Sequence, residues 1–285
     1  MIAIKYGTYL RSAAGGLALL ALSVSAAQAA DQNDNLNATL WMQSSVEYQG
    51  ATIGAYRLAA MMLDKALADK SWTAVPGQQT GAFQDLPPAV ILDLDETVLD
   101  NSDYQAWMVA NNETFSEKTW GEYVNTVTSR AIPGALEFTK YADSKGVKVF
   151  YVSNRTGDLE EATRKNMEMF GFPMGGNVDT VLLKKEKDEW KSSAKSPRWA
   201  HVAKDYRVLL QIGDNLGDFM DEYKGSIAER QASMEAQKAM WGERWIVLPN
   251  PTYGSWESAA FGHNYKLSGD EQRDMKLGVL SSWKP

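Results

Sequence analysis

Four short apolar runs, Ala89–Leu92, Val147–Val152, Thr180–Leu183 and Arg207–Ile212, are separated by stretches of helical pattern such as Asp158–Phe170. Runs of this length suit strands buried on both faces, and strands that alternate with helices pair in parallel. The expected fold class is therefore α/β, a parallel sheet flanked by helices. Sheets of this kind take ligands beyond the carboxyl ends of their strands. In this chain the chemically capable residues gather there: Asp93 and Asp95 after the first run, Ser153 and Asn154 after the second, Asp214 and Asp218 after the last.

Before the first run, residues 40–69 carry apolar side chains at helical spacing without proline and predict one or two helices. Residues 75–88 (VPGQQTGAFQDLPP) form a turn-rich connector. Residues 101–131 are aromatic-rich and partly helical, and are expected to form a small cap over the site. The chain opens with Lys5 and Arg11, an apolar stretch from Leu17 to Val24 and small residues at Ala27-Gln28-Ala29. That pattern predicts a cleaved signal peptide over 1–30, with an apolar stretch too short for a permanent membrane anchor.

Loss of Lys5 and Arg11 takes the formal charge from −7 to −9, and no basic tract is left to grip a nucleic-acid polymer. The absence of cysteine excludes a disulfide framework, a thiolate zinc site and a lipid-bearing cysteine at the signal boundary. A free periplasmic or secreted protein is expected.

Asp93-Leu94-Asp95 sets two carboxylates at i and i+2 where a strand ends, so both can turn toward one small volume. Like charges that close repel, and a proton or a cation must settle them. Mg2+, which prefers carboxylate oxygen, water and phosphate, is the natural candidate, and Asp214 can supply a further oxygen. Acidic turns and helix caps give the same residues a purely structural reading, which weakens when both clusters are taken together. Phosphoryl transfer also needs donors for phosphate oxygens, which the Ser153 hydroxyl, the Asn154 backbone N–H and a lysine can offer.

DLDETVLDN, VSNR, AKSPR and GDNLGDF, in that order, resemble the four motifs of the haloacid dehalogenase (HAD) superfamily. LWMQSSVEYQGATIGAY and the late PNPTYGSWE further resemble its class C acid phosphatases, a bacterial group related to 5′-nucleotidases. The resemblance implies a HAD-like Rossmannoid core over about 86–285. An N-terminal helical extension and a small, mostly helical cap, contributed by about 36–75 and 101–131, would complete a phosphatase domain over 31–285. Asp93 would attack phosphorus and become an aspartyl phosphate. Asp95 would protonate the leaving alcohol and then deprotonate the hydrolytic water, with Ser153, Asn154 and a lysine binding phosphate. Lys195 fits the family pattern, although Lys184 and Lys185 also follow a strand. Mg2+ would sit on Asp93, the Asp95 backbone carbonyl and Asp214, with Asp218 supporting the site from behind. Trp120, Tyr253 and Trp256 resemble the aromatic residues that sandwich a nucleotide base, which makes nucleoside monophosphates the expected phosphate monoesters.

The best-known members of the group are outer-membrane lipoproteins, from which this chain departs by lacking the boundary cysteine. His201 and His263 match no motif and are expected to be structural. A dehalogenase does not need Asp95 as a leaving-group acid, and a mutase is normally cytosolic. A non-catalytic binder of nucleotides or another aromatic ligand on the same fold is the alternative from another class. The aromatic region and the helical start each offer surface for a homodimer.

Overall fold

The computed structural model describes residues 33–284. The expected signal peptide over 1–30 lies outside the described residues. Two helices, α1 (Leu36–Ser44) and α2 (Val46–Ala68), precede β1 (Pro88–Leu92). A short hairpin, β2 (Leu99–Asp100) with β3 (Arg130–Ala131), brackets α3 (Ser102–Asn111) and α4 (Glu117–Val124). Then come α5 (Ala135–Ser144), β4 (Lys148–Thr156), α6 (Glu160–Phe170), β5 (Val181–Lys184), α7 (Ser196–Asp205) and β6 (Arg207–Gly213). The chain ends with α8 (Ile227–Ala236), β7 (Trp245–Val247), α9 (Ser255–Ser258) and α10 (Gly269–Gly278). Among the described residues no helix is long and apolar enough to cross a membrane.

The main sheet is parallel with strand order β5-β4-β1-β6-β7. Alternation along β1 divides the core, because successive side chains of a strand face opposite ways. Val90 and Leu92 join one apolar cluster with α2, α5 and Val149 and Tyr151 of β4. Ala89 and Ile91 join a second, with Phe150, Val152, Trp190, Trp199 and Val202. Both faces are covered, which is why β1 reads as an unbroken apolar run and β6 is buried along its whole length.

Helix α2 starts where the Ser45 hydroxyl accepts the Tyr48 N–H at 3.0 Å, which caps the exposed amides of its first turn. Its buried residues Tyr48, Thr52, Tyr56, Ala59, Leu63 and Ala66 recur three or four apart and lie along one face. That face packs in the same cluster as β1 and β6, so the helix belongs by its packing to the sheet core, although residues 36–75 were expected in the cap. Helix α1, in contrast, ties to the aromatic region: Gln43 donates to Asp103 of α3 at 3.1 Å and Asn35 to Gln105 at 3.1 Å.

The site is positioned by strand order. From β1 the chain builds outward through β4 and β5, then returns to start β6 on the other side of β1. The crevice beyond the ends of β4, β1 and β6 therefore lies where the winding reverses. Register pairs Leu92 with Tyr151 and with Ile212, which brings Asp93, Ser153 and Asp214 to one edge.

Candidate active site

Asp93 leaves β1 with its N–H still donating to the Ile212 carbonyl at 2.9 Å, and its side chain is buried. Beyond β6 the chain turns through Asp214 and Asn215 into a tight helical turn over Leu216–Asp218. Asn215 caps that turn and Asp218 returns the bond, its Oδ2 accepting the Asn215 N–H at 2.8 Å. Capping and site geometry thus coincide. Gly213 is required here, since a Cβ would lie 2.3 Å from the Asp218 side chain.

Carboxylate oxygens of Asp93, Asp214 and Asp218 lie within 4.8 Å of one another. Lys195, the residue before α7, reaches into this group from a fully different part of the chain. Its ammonium donates to Asp93 and, at 2.7 Å, to Asp218. Burial pushes that ammonium toward its neutral form, but the charges of Asp218 and Asp93 outweigh burial and the pKa is raised. Burial and the neighbouring carboxylates push Asp93 up, against the pull of Lys195. Asp214 is raised well above the usual range by burial and then by Asp218 and Asp93. Among the described residues no lysine or arginine pairs with Asp214. Three clustered carboxylates with one ammonium are one cation short, and the all-oxygen donor set fits a hard divalent cation.

Asp95 occupies a separate environment. One of its oxygens accepts from Arg155 Nε at 2.9 Å and from the Asn101 amide at 3.0 Å, with Arg155 Nη2 paired to it as an ion at 2.8 Å; the other accepts from the Ser153 hydroxyl at 3.2 Å. Arg155 is only 2% exposed; it also donates to Thr163 and Asn101, and its guanidinium lies 5.4 Å from the Trp120 ring. Ser153 is buried, and its hydroxyl also accepts the Arg155 N–H at 3.0 Å. Asn154 is exposed, with its side chain held between Ser193 and Arg198. Of the competing lysines, Lys184 donates to Ser193 at 3.1 Å and Lys185 is exposed, so only Lys195 of the three meets the acidic group.

The aromatic residues approach from two sides. Trp120, half-buried in α4, packs against Tyr104, Phe115 and Tyr123 as well as Arg155. Tyr253, half-buried after β7, donates its hydroxyl to the fully buried Glu96. Burial pushes Glu96 up to about 8, and the Asp95 charge adds to it. Trp256 is exposed and donates to the Tyr253 carbonyl at 3.2 Å. The backbone position after Tyr253 needs glycine: Gly254 has φ +155°, and a Cβ there would stand 2.6 Å from Asn215. Neither histidine meets the acidic group: His263 bonds Ser258 and the Gly225 carbonyl, and His201 packs on Trp190.

Over residues 8–256 the sequence matches the family described as HAD superfamily, subfamily IIIB (acid phosphatase). The chain belongs to this family. Its fold is similar to that of the class C acid phosphatase from Bacillus anthracis, with a TM-score of 0.77 and 34% identity over 88% of this chain and 98% of that one. A second structure of that phosphatase, with tungstate bound, gives a TM-score of 0.76 at the same identity and coverage. The sequence is also similar to the stem 28 kDa glycoprotein of Glycine max, 25% identical over 57% of this chain and 58% of that protein. The stem 31 kDa glycoprotein of the same plant is 26% identical over 47% of each chain. This chain thus spans about half the length of the curated relatives it matches. Within the subfamily IIIB frame, Arg155, Thr97 and Asn250, which bond the acidic residues, and Glu96, which accepts from Tyr253, are not among the site residues expected from the sequence. Arg155 and Asn250 do lie inside the motifs VSNR and PNPTYGSWE, but an arginine or asparagine at a strand end carries no signal of its partner.

Proposed function

We propose that this subfamily IIIB protein is a Mg2+-dependent hydrolase of phosphate monoesters, acting on nucleoside 5′-monophosphates in the periplasm or outside the cell. The observation that carries the reading is the separation of two carboxylates only two residues apart. Asp93 sits with Lys195 and the acidic group, whereas Asp95 faces Arg155, Asn101 and Ser153. Divergent environments for paired carboxylates assign different roles to them.

In the proposed reaction an Asp93 oxygen attacks phosphorus and the P–O bond to the leaving alcohol breaks. Asp95 gives its proton to the departing oxygen, leaving an aspartyl phosphate on Asp93. Asp95 then takes a proton from water, the water oxygen attacks phosphorus, and the Asp93–phosphorus bond breaks to release inorganic phosphate. The Ser153 hydroxyl, the Asn154 N–H and the Lys195 ammonium would hold the phosphoryl oxygens. Asp93, the Asp95 carbonyl and Asp214 would hold Mg2+, with Asp218 steadying Lys195 and the site from behind; when bound, the ion would neutralise charge on the transferred phosphoryl group. The similar Bacillus anthracis phosphatase is known with tungstate bound, which supports a tetrahedral oxyanion as the ligand of this site. The rings of Trp120, Tyr253 and Trp256 would contact the base.

Phosphate release from adenosine 5′-monophosphate, measured with Mg2+, with chelator and with Asp93→Asn, tests the reading. Release should require the metal and vanish in the variant. Folded, metal-loaded protein that binds the nucleotide without releasing phosphate would make it a binding protein instead.

A further inference from the structure

Asn250 lies between the acidic group and the loop that carries Tyr253, and both ends of its side-chain amide are used. The NH2 group donates to Asp214 Oδ2 at 2.8 Å. The carbonyl oxygen accepts the Thr252 N–H at 2.9 Å, the Thr252 hydroxyl at 2.7 Å and the Tyr253 N–H at 3.4 Å. This bonding fixes which way the amide points, since the reverse orientation would turn an oxygen toward a carboxylate and N–H groups toward donors. The other oxygen of Asp214 faces the Thr97 hydroxyl at 3.4 Å.

Two further bonds make residues 248–253 a bridge across the strand ends. The Leu248 N–H donates to the Gly213 carbonyl at 2.9 Å, which pins the start of the segment beside the end of β6. At its far end the Tyr253 hydroxyl donates to Glu96, which also accepts the Asn101 N–H at 2.8 Å in the loop beyond β1. The ring of Tyr253 and the carboxylate of Asp214 are thus held by one short piece of chain, with Asn250 as the joint.

We infer that Asn250 is a positioning residue that couples the cation site at Asp214 to the aromatic site at Tyr253, so that divalent metal and nucleoside favour each other's binding. A carboxylate aimed by a side-chain donor binds metal more tightly than one free to rotate, and loss of such a donor typically weakens metal binding by about 10- to 100-fold. A cation that fixes Asp214 also orders Asn250 and its loop, so a base stacking on Tyr253 meets a segment already ordered. The converse holds by linkage. The coupling rests on the proposed contact between Tyr253 and a base.

The test is titration calorimetry of Mg2+ into the metal-free protein with and without saturating adenosine, which carries a base but no phosphate to touch the metal. Adenosine should raise Mg2+ affinity about fivefold or more in the unaltered protein, the lower range of ordinary site-to-site coupling. Asn250→Ala should lower Mg2+ affinity about 10- to 100-fold and abolish the adenosine effect. Thr252→Val, which removes one of the three donors on the amide oxygen, should shift both in the same direction by smaller factors, and serves if the alanine variant does not fold. Unchanged Mg2+ affinity in Asn250→Ala, or an adenosine effect that survives there, overturns the inference. Adenosine that binds the unaltered protein without changing Mg2+ affinity overturns the coupling alone; adenosine that does not bind removes the nucleoside reading beneath it.

Discussion

Arg155 sets its guanidinium against Asp95 through its Nε–H and a close ion pair while the same group approaches the face of Trp120. If Asp95 protonates the leaving oxygen, its aim decides how well a poor leaving group departs. General acid catalysis is worth roughly 10²–10⁴-fold, and an aryl leaving group needs little of it. Arg155→Gln should therefore lower kcat/KM for an alkyl phosphate about tenfold more than for p-nitrophenyl phosphate, and equal losses on both would show that Arg155 does not aim the acid. The four aspartates were legible because each follows an apolar run closely, where a strand end can be read directly. Lys195 was readable only by resemblance, since 102 positions separate it from Asp93. Arg155 was not readable in its role: an arginine beside a polar pair reads as surface, and only the fold buries it next to Asp95.

Helix α2 shows how packing outranks position in the sequence. Its pattern announced a helix, yet its partner could not be read locally, because the buried face meets strands that come later. Leu63 is fully buried in the cluster shared with β1 and β6. Leu63→Ala should cost about 2–5 kcal/mol of stability, by lost transfer energy and by the cavity left behind. Denaturant unfolding at equilibrium would report it; a loss under about 1 kcal/mol would mean that α2 is dispensable to the core, since large-to-small changes in a packed interior cost more than that. The four long-signal strands were legible to within a few residues. The pair β2 and β3, each of two residues, and the three-residue β7 were not, because so short a run shows no periodicity and depends on neighbours already in place.

At the scale of the whole molecule, the buried acids give stability a definite pH dependence. Burial holds Glu96 at about 8 against an ordinary 4.5, and Asp93 is raised in the same sense. The unfolded chain has lost both protons by about pH 5, while the metal-free folded chain retains them. The folded state then binds more protons, so this stabilisation is complete below the ordinary carboxylate range and is lost as pH rises through about 8. The melting temperature of chelated protein should fall between pH 5 and pH 8, and Mg2+ should restore it most at the higher pH. A melting temperature that climbs over that interval without metal would contradict the burial. The joining of the segment that follows the N-terminal helices to β6 has a temporal side as well. The Trp72 indole donates to the Leu209 carbonyl at 2.8 Å, Arg207 to the Asp69 carbonyl at 2.5 Å, and the Val208 N–H to Gln79 at 3.1 Å. On a ribosome, the first helices emerge well over a hundred residues ahead of the strand that completes them. Such distant partners slow folding, and the growing chain stays without its core until β6 has been synthesised, leaving a long interval in which chaperones can hold it open.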